Sequence, residues 1–209
     1  MIVAIDGPAG TGKSTVARRL AERLGFRYLD TGAMYRALTW LALERRVDLE
    51  DADALAALAR ENETEIEGDL IRIAGTDVTD AIRTGNIDRI VSSVARHLPV
   101  REVLRERQRA MADAGDAVME GRDIGAVVVP HADVKVYLVA DAAVRAQRRE
   151  AERPGIGPDA LATDLRLRDE RDAGQLQAAP DAETIDTTSL TVDEVVRRIE
   201  SAVAAHARA

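Results

Sequence analysis

Apolar positions along this chain alternate between two periods. Ile2-Val3-Ala4-Ile5 is a short unbroken apolar run, the pattern of a buried strand. Over residues 14–24 the apolar side chains fall at Val16, Ala17, Leu20, Ala21 and Leu24, one face of a helix that Gly25 closes as a C-cap. A short strand over 27–29 then leads through Asp30-Thr31-Gly32 to a helix over about 33–46, and another helix follows over about 51–61. The period changes at 63–66 and 70–74, two short alternating runs on either side of Glu67-Gly68-Asp69, which predict a hairpin. Ile87, Ile90, Val91 and Val94 lie in helical register over 86–97, and Pro99 opens a further helix to about 114.

Residues 62–98 therefore read as an insert within a core of residues 1–61 and 99–209. In that core the alternation resumes with strands at 117–119, 134–139 and 183–186. Between them lie a helix over about 141–153, an irregular turn at Pro154-Gly155-Ile156-Gly157-Pro158, and a helix running on to about Asp172. Thr191-Val192-Asp193-Glu194 is a capping box that opens the last helix. Five strands separated by helices predict an α/β fold, a parallel sheet with helices on both faces, plus a small mixed insert domain. Ligands should gather at the carboxyl ends of the strands.

Composition narrows the chemistry. The 209 residues contain no cysteine, which excludes disulfides, thiolate zinc sites and cysteine nucleophiles. His97, His131 and His206 are isolated and read as surface or packing residues, since none pairs at metal-ligand spacing. No run approaches the roughly 18 continuous apolar residues of a membrane span, and no basic-apolar-small pattern opens the sequence, so a cytoplasmic protein off the membrane is expected. A net charge of −8 argues against long nucleic acid, but small phosphorylated ligands fit if cationic residues converge in a cleft. The 29 basic residues include only two lysines, Lys13 and Lys135. Lys13 thus stands against the arginine habit of the chain, where a compact point charge suits a place beside phosphates.

Lys13 belongs to Gly7-Pro8-Ala9-Gly10-Thr11-Gly12-Lys13-Ser14, which satisfies G-x-x-x-x-G-K-[ST] at the first strand-helix junction, with Thr15 next in line. Gly7, Gly10 and Gly12 let backbone N–H groups curl round an anion, and the following helix points its positive end at the same spot. Lys13 would reach the β and γ phosphates of the nucleotide, and the Ser14 hydroxyl would ligate Mg²⁺. No Asn-Lys-x-Asp guanine-reading motif is present. Asp141, after an apolar strand, stands where it would cap the next helix rather than serve a motor ATPase.

Further polar groups fall at other strand ends: Thr31, Tyr35 and Arg36; Arg122 and Asp123; Arg145, Arg148 and Arg149; then Arg168, Asp169, Arg171 and Asp172. Their shared placement at one sheet edge predicts an anion-filled cleft. In "IDGPAGTGKST", "YLDTGAMYRA", "VSSVARHLPVRE", "MEGRDIGAVVVP" and "RLRDERD", in this order and spacing, the chain resembles the bacterial cytidylate kinases, the CMP/dCMP kinases of the nucleoside monophosphate kinase family. The resemblance implies a P-loop kinase fold, an enlarged monophosphate-binding domain at 62–98 and a short lid at about 150–163. It implies ATP and Mg²⁺ as cofactors and CMP and dCMP as small-molecule partners; a monomer is expected, though no residue pattern reveals the oligomeric state. It places Ser92, Arg101 and Asp123 around the cytosine base, Thr31, Tyr35, Arg36 and Arg122 at the monophosphate, and Arg168 and Asp172 near the ribose. Arg145 and Arg148 resemble the lid-side arginines that meet the transferring phosphoryl group. Gln175 departs from the family pattern, which has an arginine there; a glutamine can hydrogen-bond the nucleotide but adds no charge.

Three rival readings stay open at this level. A kinase for a hydroxyl acceptor would need a carboxylate base, for which Asp30 or Asp123 could be proposed. A nucleotide-binding module without turnover would need no acceptor site. Uridylate or adenylate kinase activity is the nearest neighbour.

Overall fold

The computed structural model describes residues 1–152 and 157–208. In chain order the elements are β1 (Ile2–Asp6), α1 (Lys13–Leu24), β2 (Arg27–Asp30), α2 (Thr31–Glu44), α3 (Ala52–Glu61), β3 (Thr64–Glu67), β4 (Leu70–Ile73), β5 (Thr76–Asp77), α4 (Gly85–Ala95), α5 (Leu98–Asp113), β6 (Ala117–Gly121), β7 (Val134–Val139), α6 (Ala142–Glu152), α7 (Pro158–Asp172), β8 (Glu183–Asp186) and α8 (Val192–His206). They fall into two compact units, Met1–Leu29 with Ala114–Ala209, and Asp30–Asp113.

The first unit is built on a five-stranded sheet of order β2-β6-β1-β7-β8. β1 runs parallel to both β6 and β7, and β8 runs parallel to β7. Val3 and Ile5 point to one face, where they pack with Val118, Val136, Leu138 and Ile185, with Val16 and Leu20 of α1, and with Val195, Val196 and Ile199 of α8. Each such side chain, fully buried, contributes about 1.5–3 kcal/mol, so this cluster anchors both ends of the loop between β1 and α1. From β1 the sheet extends through β6 to β2 on one side and through β7 to β8 on the other. The carboxyl end of β1 is therefore the switch point where open α/β sheets bind ligands.

Ala4 and Asp6, one pleat position on, face the opposite side. There the chain forms a π-helical turn over Ile124–Val128, in which Val129 N–H donates to the Ile124 carbonyl at 2.8 Å. The Asp6 carboxylate accepts from the N–H groups of Ile124 and Gly125, both at 2.8 Å, and so caps the turn from 118 residues away. No periodicity announces this element, because five residues with i→i+5 bonds span barely one turn.

The second unit begins with a helix boundary earlier than the apolar period predicts. Asp30 is the N-cap of α2 and accepts from Ala33 N–H at 3.0 Å, which draws Thr31 and Gly32 into the first turn. The expected hairpin is present, with Glu67 opposite Leu70, and it gains a third strand, β5, through the turn Ala74-Gly75, whose φ angles are 50° and 73°. A two-residue strand is too short to leave a pattern. Leu38, Leu41, Leu55, Ile71, Ile73, Val94 and Leu104 lie in one buried cluster. That cluster joins α2, α3 and α5 to β4 and α4, so the compact unit takes in 30–61 and 99–113 besides the insert at 62–98.

The lid at 150–163 and the turn at 154–158 fall partly on residues 153–156, which lie outside the described residues. Among the described residues no helix is long and apolar enough to cross a membrane.

Candidate active site

The loop between β1 and α1 is held against the sheet by contacts that only glycine permits. Gly7 has φ 144°, and a Cβ there would lie 2.2 Å from the Leu138 carbonyl oxygen of β7. Gly10 has φ 79°, and a Cβ there would come within 3.0 Å of Arg145 Cβ. The loop's carbonyls are satisfied by side chains. Thr11 Oγ1 and Lys13 Nζ donate to Pro8 O at 3.0 and 2.7 Å, Arg145 Nη1 donates to Ala9 O at 3.0 Å, and Arg148 Nη1 lies 3.4 Å from Thr11 O. Ser14 and Thr15 remain exposed on the first turn of α1, which holds no acidic residue to offset its positive end. Backbone donors turned inward at an uncompensated helix N-terminus make an anion site.

The charges around the loop have the sign that site requires. Lys13 is buried, and burial, then the nearby Arg122 guanidinium, hold its ammonium well below the usual lysine range, with Arg168 adding to the repulsion and Glu120 opposing it. Arg122 Nε donates to Asp172 Oδ2 at 3.2 Å, and Arg168 Nε lies 3.7 Å from the same oxygen. One buried carboxylate thus orients two guanidinium groups while neutralising one charge. Against Lys13, Arg122 and Arg168 stand the carboxylates of Asp172, Glu120 and Asp6, the last two acting directly on Lys13. Arg145 is held by Asp169 at 2.5 Å, and Gln175 N–H donates to the Asp172 carbonyl at 2.7 Å just past α7.

Two carboxylates at this edge carry roles that periodicity and motif spacing did not suggest. Glu120 pairs with Ile5 across β6 and β1, is buried, and accepts from Ser14 Oγ at 2.9 Å and from Tyr28 OH. Its signal in the sequence is only that an acid ends the strand that neighbours β1. Ser14 and Glu120 present adjacent hard oxygen donors, the chemistry that suits Mg²⁺ held by one or two protein oxygens and nucleotide phosphates. Among the described residues no cluster of three or more His, Cys, Asp or Glu side chains could hold a metal ion. Asp6, which ends β1, has its carboxyl pushed up to about 6, chiefly by burial; its two backbone hydrogen bonds act the other way, and Asp123 adds to the rise.

The second unit contains the remaining residues singled out by sequence. Thr31 and Tyr35 are buried on α2, and Arg36 Nε donates to Asp88 Oδ1 at 3.3 Å, with Asp30 Oδ1 3.9 Å from its Nη1. Arg101 of α5 is buried with its guanidinium 5.7 Å from the centre of the Tyr35 ring, and it donates to the Ala95 carbonyl at 3.3 Å. Ser92 is buried on α4. The fold thus brings Tyr35 to Arg101 within this unit, and the loop to Arg122, Arg145, Arg148, Arg168 and Asp172 within the other. Asp123 belongs to the first unit, Ser92 and Arg101 to the second. Asp30 is engaged as the α2 cap.

Known proteins resemble this chain over nearly its whole length. The chain is 49% identical to the cytidylate kinase of Geobacillus kaustophilus over 209 residues, 94% of this chain and 93% of that protein. It is 47% identical to the cytidylate kinase of Bacillus licheniformis, covering 95% and 94% of the two chains. Among solved structures, an uncharacterized protein from Eubacterium ventriosum superposes with a TM-score of 0.55 at 13% identity, covering 96% of each chain, which supports the fold alone. The family model described as Cytidylate kinase matches residues 3–205. The chain belongs to the cytidylate kinase family.

Proposed function

We propose that this chain transfers the γ-phosphoryl group of ATP to CMP and dCMP, giving CDP and dCDP, by direct in-line displacement with Mg²⁺. The observation that carries this reading is the geometry of the phosphate loop, where Lys13 is buried with Nζ 2.7 Å from Pro8 O and Arg145 and Arg148 reach the carbonyls of Ala9 and Thr11. Glu120, Asp6 and Asp172 offset part of the charge of Lys13, Arg122 and Arg168, and the phosphates of an arriving nucleotide would add to that compensation.

The acceptor oxygen already belongs to a phosphate, whose second ionisation has a pKa of about 6, so no general base is needed near neutral pH. Catalysis then rests on alignment and on neutralising charge over the moving group. In this reading Gly7, Gly10, Thr11, Gly12, Lys13, Ser14 and Thr15 cradle the donor phosphates. Lys13, Arg122, Arg145 and Arg148 stabilise the transferring group, the last two exchanging part of their hold on loop carbonyls for phosphate oxygens. Ser14, with Glu120 behind it, would hold Mg²⁺, which would supply charge neutralisation at the donor phosphates.

On the acceptor side, Thr31, Tyr35, Arg36 and Arg122 bind the monophosphate, and Arg168 and Asp172 meet the ribose. Ser92, Arg101 and Asp123 read cytosine, whose exocyclic amine can donate to a carboxylate while its acceptors take hydrogen bonds from arginine. Uracil puts a carbonyl where the amine was, so Asp123 would face another acceptor, and a buried mismatch of that kind discriminates strongly. The engagement of Asp30 as a helix cap weighs against its serving as the base of a hydroxyl-acceptor kinase.

A panel of monophosphates tests the reading. With MgATP, ADP release should be accelerated by CMP and dCMP, with kcat/KM at least tenfold above that for UMP or AMP. ADP release independent of any monophosphate, or a preference for UMP or AMP, would overturn it.

A further inference from the structure

Thr187 follows β8 directly, carries no motif, and is 2% exposed. Its backbone N–H donates to the Val139 carbonyl at 2.8 Å, tying the carboxyl ends of β7 and β8 together. Its hydroxyl oxygen lies 3.0 Å from the Thr11 carbonyl and 3.1 Å from the Val139 carbonyl, and it accepts from Arg148 Nη1 at 3.0 Å. Arg148 Nη2 also donates to the Thr187 carbonyl at 2.6 Å. A threonine hydroxyl has one proton to give and lone pairs to receive. Val139 O already accepts the Thr187 N–H at 2.8 Å, whereas Thr11 O is approached by Arg148 Nη1 only at 3.4 Å, so the hydroxyl proton is best used on Thr11 O, while a lone pair takes the Arg148 donor.

The consequence for the phosphate loop follows from peptide geometry. Among the described residues no peptide bond is cis, so the carbonyl of Thr11 and the N–H of Gly12 point in opposite directions across one plane. Fixing Thr11 O on Thr187 therefore turns Gly12 N–H away from β8. Arg145 acts in the same way on the Ala9–Gly10 plane, two peptide units earlier, since its bond to Ala9 O fixes the direction of Gly10 N–H. Gly12 is the N-cap of α1 with φ 90° and no side chain to cap it, so nothing within its own residue holds this plane. Thr187 lies 176 residues along the chain from Thr11 and provides that constraint from outside the loop.

We propose that Thr187 is a positioning residue for the donor nucleotide: its hydroxyl, braced by Arg148, holds the Thr11–Gly12 peptide plane so that the loop is set for a triphosphate before it binds. This rests on the reading of the phosphate loop as the ATP site. The effect should fall on the donor and spare the acceptor, because none of the Thr187 contacts involves a residue assigned to CMP.

The test is steady-state kinetics and equilibrium ATP binding on Thr187→Val, which keeps the shape and removes the hydroxyl, and on Thr187→Ser, which keeps the hydroxyl and removes the methyl. Thr187→Val should raise the KM for MgATP and the Kd for ATP about tenfold, the lower end for a buried bond in a charged network, with the KM for CMP changed less than twofold. Thr187→Ser should stay within twofold of the wild type on all three. An unaltered KM for MgATP in Thr187→Val overturns the proposal, as does an equal rise in the KM for CMP. A Thr187→Ser variant whose KM for MgATP rises about tenfold would assign the effect to packing and also overturn it, an outcome read against the wild type even if the valine variant does not fold. ATP-dependent turnover by the wild-type chain is measured beside them; its absence would remove the donor-site reading itself, whereas its presence with normal Thr187→Val kinetics removes only the role of Thr187.

Discussion

Asp6 offers a quantitative test because a single buried carboxyl should leave its own signature in stability against pH. Its folded-state value is raised from 3.8 to about 6, with burial as the largest cause; the hydrogen bonds from Gly125 and Ile124 and the charge of Lys13 lower it, and Asp123 raises it. The folded value lies above the unfolded one, so between pH 3.8 and 6 the native chain keeps a proton that the unfolded chain has lost. Stability from this group is full below pH 3.8 and is lost as pH rises through 6, with a slope of about −1.4 kcal/mol per pH unit. Across about two pH units that amounts to roughly 3 kcal/mol.

The Asp6→Asn variant removes the titration while keeping the size of the side chain. Its absolute stability also changes, since an amide replaces one of two acceptors facing backbone N–H groups, but that change does not depend on pH. Urea unfolding of both proteins at intervals from pH 4 to 7.5 isolates the carboxyl in the difference between them. The wild type should lose roughly 2.5 kcal/mol relative to Asp6→Asn over this range, most of it before pH 6.5. A difference that stays flat would refute the burial argument, and one that slopes the opposite way would mean that the two backbone hydrogen bonds outweigh burial.

Lys13→Ala should reduce turnover at least a thousandfold while leaving the far-UV circular dichroism unchanged; retained activity would remove Lys13 from the phosphate site. Asp123→Asn should lower the preference for CMP over UMP by at least tenfold in kcat/KM, because an amide can donate to the uracil carbonyl; an unchanged ratio would take Asp123 out of base reading. Glu120→Gln should lower Tm by roughly 5 °C, since hydrogen bonds to a charged acceptor are worth about 1.5–3 kcal/mol and each kcal/mol moves a chain of this size by about 2–4 °C. The same variant should raise the Mg²⁺ concentration for half-maximal activity severalfold, and an unaltered Mg²⁺ dependence would detach Glu120 from the metal.

Features that short-range physics controls are legible in the chain alone. Gly7-Pro8-Ala9-Gly10-Thr11-Gly12-Lys13-Ser14 names a phosphate loop because its glycines and lysine act within a few residues of one another. The Thr191–Glu194 capping box, the Gly25 C-cap and the helical stripe through Val16, Leu20 and Leu24 are legible for the same reason, and all three form as expected. The alternation of strands and helices was enough to announce the five-stranded sheet. The tertiary structure alone decided which groups serve the loop, because partners that meet only when strands align have no fixed spacing. Ser14 finds Glu120 after 106 residues, Arg122 finds Asp172 after 50, and Asp6 caps a π-helical turn that no apolar period marks. Thr187 is the clearest case, an ordinary threonine in sequence that acquires its contact with Thr11 only because β8 lies beside β7 and β7 beside β1.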